Sequence, residues 1–343
     1  MLYVLLAILL FGILIFIHEL GHYLTARLFK VKINEFAIGM GPKIISKKSK
    51  KTGIAYSLRL LPIGGFVSME GEDSESEDEG AFGKKPVWQR IIITAAGSLS
   101  NILLGIIVMA IITANTTLVS TTVRDFAEGA VSSEMLEAGD KITRIGAQNT
   151  YTGQDVVYAI TRYGKEPTEV TVIRNGEKTT LTVSFGTVTE EGHVFGVRDF
   201  NFYTERQLDN ANFFTFIGHS LCQSRLMIRM VVDSIHDLIV GEYSIKDLSG
   251  PVGVTEVVSD AARQNNGTVW FYFVLIAMNL GLVNLLPIPA LDGGRIVFML
   301  IELITRKRVP QKVEAIIHTV GIIILLALMA VITFKDILHL FKK

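Results

Sequence analysis

Two histidines and a glutamate stand together in an otherwise apolar stretch, as His18-Glu19-Leu20-Gly21-His22. On a helix, residues four apart share one face. Two imidazoles at that spacing can hold one zinc ion, with the intervening glutamate placed to activate water. Glu19 would act as general base, taking a proton from that water and returning it to a leaving amine. A chance match to the pattern is expected in on the order of one in a hundred chains of this length. Inside an apolar span it is rarer, because ionisable residues at membrane depth are costly and tend to be functional.

A catalytic zinc wants a third protein ligand and one open position. The single cysteine, Cys222, excludes both an internal disulfide and a cysteine zinc site. The candidate third ligand is Asp292, in Asn284-Leu-Leu-Pro287-Ile-Pro289-Ala-Leu-Asp292-Gly293-Gly294. The two prolines predict a broken helix, and broken backbone at membrane depth survives only inside protein or beside a wet cavity. Asp292 as a plain helix cap is the alternative. Asn284 could donate to substrate or to a developing oxyanion, or make an ordinary interhelical hydrogen bond; the spacing leaves both open. Asn101 and Asn279 read as packing residues. His193, His219, His236, His318 and His339 lack motif partners and read as surface or interfacial residues.

These side chains need elements to hold them. Of 343 residues, 49% are hydrophobic and 19% charged, against about 25% charged in soluble domains. Four stretches reach the roughly 20 apolar residues that cross a bilayer: within 1–29, 91–114, 268–294 and 313–334. The first lacks the basic leader and small-residue cleavage site of a signal peptide, so it is expected to be retained. Lys and Arg crowd the segment 30–90 and the loop expected at 295–312, which places both on the cytoplasmic side. Lys335, Lys342 and Lys343 in the tail 335–343 dissent mildly. The zinc motif and Asp292 then fall at the cytoplasmic ends of their spans, at similar depth.

Between the first two spans, 52–60 and 66–69 read as short strands around the turn residues Pro62, Gly64 and Gly65. The acidic run 70–80 reads as a solvated loop, and 81–90 as a short interfacial helix. Residues 118–199 read as one small α+β domain, with strands joined by Asn175-Gly176 and helical spacing over 155–162. Residues 200–267 read as an amphipathic helical segment on the outer membrane surface or packed on that domain. The fold class is a multi-pass α-helical membrane protein with four transmembrane helices and one extracytoplasmic α+β domain. Zero net charge gives no case for nucleic acid; the bilayer is the expected environment.

The paired motifs, His18-Glu-Leu-Gly-His22 and Asn284-x-x-Pro-x-Pro-x-Leu-Asp292-Gly-Gly, resemble the site-2 protease family of intramembrane zinc metalloproteases. The layout is similar to the bacterial branch typified by the regulator of sigma-E protease, with a PDZ domain between the second and third spans. Gly64-Gly65-Phe66-Val67-Ser68-Met69 is similar to that family's cytoplasmic membrane-associated β-hairpin. Ala96-Gly97 with Asn101 resembles the motif opening the second span, Gly250-Pro251-Val252-Gly253 the segment before the third, and Gly139-Asp140-Lys141-Ile142 a PDZ turn. Ser98 departs by standing where proline is usual, and is expected to touch no catalytic role. Glu137-Ala138 is a second departure, standing before Gly139 where a proline is common.

The resemblance implies His18, His22 and Asp292 as Zn2+ ligands and Glu19 as general base. It implies regulated intramembrane proteolysis of single-span membrane proteins, such as anti-sigma factors or remnant signal peptides, after a first cut outside. The setting would be the bacterial inner membrane, with the active site near the cytoplasmic side and the PDZ-like domain outside. Substrate would unwind and add to the edge strand, making Gly65, Phe66, Val67 and Met69 substrate-binding residues alongside Asn284. The rivals are a catalytically silent membrane-peptide binder or chaperone, against which Glu19 argues, and a transporter, for which no internal repeat is visible.

Overall fold

The computed structural model describes residues 2–72, 75–190, 192–207, 212–244, 248–263 and 267–340. Lys342 and Lys343 of the tail, two residues of the acidic run and the His339 side chain lie outside what is described. The chain divides into two compact units, Met1–Gly105 with Met230–Lys343, and Ile106–Arg229.

The first unit is built on apolar helices. Helix α1 (Leu2–Leu28) ends where Val31 N–H folds back onto Ala26 O at 2.8 Å and Lys30 turns left-handed. Two long strands follow, β1 (Ile33–Lys48) and β2 (Ala55–Met69), in place of the two short ones expected. Residues 35–38 stand between 65–68 on one side and 55–58 on the other, so 65–69 is an edge of this sheet. Among the described residues no further strand pairs with that edge. The sheet carries a polar lock. Glu35 is desolvated, which alone would raise its pKa, but Lys43 and Arg59 at 2.9 Å each and the Ser57 hydroxyl bring it down to about 2.

Helix α2 (Val87–Ala114) starts directly after Pro86, so the expected interfacial helix shrinks to one 3-10 turn at Phe82–Lys84. The packing of these helices is set by small residues. A Cβ on Gly21 would meet Ala96 O of α2 at 2.4 Å.

The second unit is a small α+β body. Strands β3 (Val119–Phe126), β4 (Lys141–Ile145), β6 (Thr168–Arg174), β7 (Glu177–Val183) and β10 (Phe200–Thr204) form a sheet in the order β10-β3-β4-β6-β7, with β5 (Gln148–Asn149) beside β4. A separate hairpin joins β8 (Gly186–Glu190) to β9 (His193–Val197). Helix α3 (Gly153–Tyr163) starts with a capping box from Thr152 and Asp155. It buries Val156 and Ile160 against Ile142, Ile145 and Val170, all fully enclosed. The Gly139-Asp140 turn is a structural anchor: Arg174 forks onto Asp140 at 2.8 and 2.7 Å, and Asp140 accepts Glu137 N–H at 2.9 Å. The domain runs past the expected end at 199, because β10 supplies an edge of its sheet.

The segment expected as one helical stretch over 200–267 is divided. After β10 come α4 (Phe213–Val240) and α5 (Pro251–Arg263). The latter belongs to the helical unit, where Gly250 and Gly253 N–H groups each donate to Asp336 at 2.9 Å. Helix α6 (Thr268–Asn284) stops before the prolines, as proline requires. Helix α7 (Asp292–Thr305) occupies ground read as a loop; its apolar residues 296–301 need a partner that the sequence does not name. Helix α8 (Gln311–Leu340) closes the chain. Among the described residues, three helices are long and apolar enough to cross a membrane: Leu5–Leu28, Val87–Ala114 and Gln311–Leu338. At 17 residues, α6 spans about 25 Å, short of the roughly 30 Å hydrocarbon core.

Candidate metal centre

His18 and His22 lie one helical turn apart on α1 and turn the same nitrogen inward, Nε2 to Nε2 at 3.2 Å. Asp292, the first residue of α7, brings Oδ2 to 3.4 Å from His18 Nε2 and 3.5 Å from His22 Nε2. The side chains are only 13%, 12% and 19% exposed respectively. Zinc bonds of about 2.0–2.2 Å in a tetrahedron set ligand atoms roughly 3.3–3.5 Å apart. The three donors therefore fit zinc, and two imidazoles with one carboxylate is a donor set of catalytic zinc sites with one position left open. Among the described residues this is the one group of three or more possible metal ligands.

The surroundings fix these side chains. His22 Nδ1 donates to Ile93 O at 2.9 Å, which leaves Nε2 as the lone-pair nitrogen facing the centre. Gly97 of α2 makes room for that ring: a Cβ there would lie 2.3 Å from His22 Nε2. Ser98 Oγ donates to Asp292 Oδ2 at 3.1 Å. Residue 98, expected to stand apart from the site, contacts Asp292 directly. The hydroxyl bonds the same oxygen that faces both histidines, a contact between residues 194 apart that no local pattern signals. Ser98→Ala is expected to weaken zinc binding roughly tenfold, the low end for such supporting partners, as read by zinc transfer to a chelator from the purified protein.

Glu19 lines a cavity of about 510 Å³ with the two histidines, Asp292 and the edge residues Phe66, Val67, Ser68 and Met69. The sheet lies directly on the glutamate: a Cβ on Gly65 would sit 3.1 Å from Glu19 Cγ and 2.9 Å from Ala37 O. Arg59 stacks over the Phe66 ring at 4.7 Å. Arg295, one turn beyond Asp292, pairs with Glu72 at the cavity wall. Asn284 ends α6 and is not among the residues lining this cavity.

Two of the remaining histidines are less peripheral than expected. His219 is 6% exposed and pairs with Glu205 at 3.2 Å. His318 of α8 accepts a hydrogen bond from Ala290 N–H at 2.9 Å, two residues before Asp292. Its position inside an apolar span was the available signal.

The profile of Peptidase family M50 matches residues 6–328. A provisionally named zinc metalloprotease of Clostridium acetobutylicum is 34% identical over 98% of this chain and 97% of its own length. One from Fusobacterium nucleatum is also 34% identical, over 98% and 99%. The regulator of sigma-W protease RasP of Bacillus subtilis is 28% identical over 97% of this chain and 98% of its own.

Proposed function

The chain belongs to peptidase family M50, and with that as premise we propose the substrates, site roles and membrane arrangement of what is an intramembrane zinc metalloprotease of regulated proteolysis. Its substrates are single-span membrane proteins of the anti-sigma or remnant-signal-peptide kind, cut first by another protease. The sigma-W regulation named for the Bacillus subtilis relative supports that class. The observation that carries the site assignment is the closure of His18, His22 and Asp292 to tetrahedral spacing beside Glu19.

His18, His22 and Asp292 would hold the metal. Zinc, when bound, supplies Lewis-acid activation of water and of the scissile carbonyl. Glu19 removes the proton from the attacking water and delivers it to the departing amine nitrogen. A helical segment cannot be cut as it stands, since its carbonyls are engaged in the helix. Residues 65–69 offer a strand edge with no further partner among the described residues, so an unwound substrate adds to it by backbone pairing and lies across the cavity floor. Gly65, with no side chain, lets that strand run close to Glu19; Phe66, Val67 and Met69 shape the contact. Asn284 supplies an amide to the substrate backbone or oxyanion once substrate is seated.

The protein sits in the bacterial inner membrane with α6 as a fourth, shortened membrane segment, the metal centre toward the cytoplasm and a PDZ-like domain outside. The basic segments 30–90 and 295–312 support that orientation. The domain screens substrates by size. Deleting 118–204, which includes β10, is expected to admit longer-tailed substrates while a minimal single-span substrate is still cut; loss of minimal-substrate cleavage in a folded deletion variant refutes the screen. Chelation tests the core reading: reconstituted enzyme dialysed against a chelator should stop cutting a single-span substrate and recover with stoichiometric zinc. Unchanged cleavage in protein shown by metal analysis to be zinc-free defeats it.

A further inference from the structure

The loop that presents Asp292 is held by a helix to which the metal site owes no ligand. Between α6 and α7 the chain runs 285–291, with Pro287 and Pro289 lacking N–H groups. Backbone donors in such a loop, at membrane depth, must each find an acceptor. Leu285 N–H reaches Leu282 O, Leu286 reaches Val283 O, Ile288 reaches Leu286 O and Leu291 reaches Ile288 O, all local carbonyls. Ala290 is different. Its N–H goes to His318 Nδ1 of α8 at 2.9 Å.

Ala290 is also where the backbone is strained. Its φ of +78° lies in the left-handed region, which a residue with a Cβ avoids. That turn brings in the extended Leu291 and then Asp292 at the head of α7. Conformations of this kind persist only where the surroundings impose them. The surroundings here are α8. Gly321, on the same face as His318, lets the helix press on the loop: a Cβ there would fall 2.6 Å from Pro289 Cβ and 2.7 Å from Pro289 C. The His318 ring also meets Phe298 of α7, centroids 5.8 Å apart.

We propose that His318 is a positioning residue of the metal centre: by accepting the Ala290 N–H it holds the left-handed turn that aims the Asp292 carboxylate at His18 and His22. This rests on the metal-centre reading above. Accepting at Nδ1 makes His318 the tautomer with its proton on Nε2. The helix α8 is then a structural member of the active site as well as an apolar span.

The test uses the full-length protein in detergent micelles. Zinc affinity, by chelator competition, and amide exchange of the 285–291 loop in metal-free protein are measured for His318→Ala, His318→Asn and His318→Gln. Asn Oδ1 can stand where Nδ1 stood, whereas the Gln oxygen lies one bond further out. Expected for His318→Ala is a 10- to 100-fold loss of zinc affinity, the range for supporting partners of metal ligands, with faster Ala290 exchange. His318→Asn should recover most of both, and His318→Gln should not. Wild-type zinc affinity and unchanged exchange in His318→Ala overturn the proposal, as does equal impairment in His318→Asn and His318→Ala. If His318→Ala fails to fold, the Asn and Gln pair carries the same comparison. His18→Ala is the control for the reading beneath: if wild type and His18→Ala bind zinc equally, the metal centre itself is misassigned, whereas the exchange result in metal-free protein still judges His318.

Discussion

Glu19→Gln should leave zinc in place and take the cleavage rate down by roughly 10²- to 10⁴-fold, the range that a positioned general base contributes. The separation of the two effects follows from the geometry. The three donors that approach one another are His18 Nε2, His22 Nε2 and Asp292 Oδ2, and the glutamate is not among them. Gln keeps the size of Glu, so the cavity wall and the approach of the sheet at Gly65 are unchanged. What is lost is a group that accepts a proton. Metal analysis and single-turnover cleavage of a single-span substrate, run on the same preparation, check both halves. In cells, the same variant should accumulate uncut membrane stubs that the native enzyme clears, and their identities would name its substrates. A variant that cuts at the native rate removes Glu19 from the mechanism. One that loses zinc along with activity makes it a metal-site residue instead.

The first half of this centre is legible in five consecutive residues because helical periodicity alone brings His18 and His22 together. Asp292 is legible for a different reason: paired prolines at membrane depth imply a loop with a purpose. What periodicity cannot convey is which helix lies against which. Ser98, read as a departure without consequence, bonds Asp292, and His318, read as peripheral, bonds Ala290. Both contacts need the close approach of elements that local periodicity does not bring together. Strand β1 is hard to read from its sequence because Gly39, Gly41 and Pro42 interrupt it and its apolar residues do not alternate; its partners at 55–58 and 65–68 supply the pairing that local propensity does not. Helix α7 is not legible locally, because the burial of its Met299 in one core cluster with Tyr23 and Ile93 depends on residues far off in sequence. The start of β10 within a segment read as helical is the same failure: an edge strand of five residues is specified by β3, its neighbour.

Asp292→Ala should abolish zinc binding at concentrations that saturate the native enzyme, with a loss larger than the roughly 10- to 100-fold expected of supporting partners. Two consequences coincide at this residue. Of the three donors its Oδ2 alone does not come from α1, so without it a bound metal would be left with two imidazoles from a single helix face. Zinc held at catalytic sites by three protein ligands does not tolerate that deficit. The carboxylate also occupies the first turn of α7, where a negative charge favours the helix N-terminus and Leu291 offers no side-chain cap. Asp292→Asn distinguishes the two. It retains an oxygen that can accept from Ser98 Oγ and stays the same size, so the loop and α7 should remain in place. It lacks the charge, so zinc should still be lost and cleavage with it. Chelator competition for the metal, set beside thermal unfolding of the metal-free protein, reads the two contributions separately. Retention of native zinc affinity in Asp292→Asn would mean that the charge of this carboxylate is dispensable, and retention in Asp292→Ala that the third ligand lies elsewhere on the cavity wall.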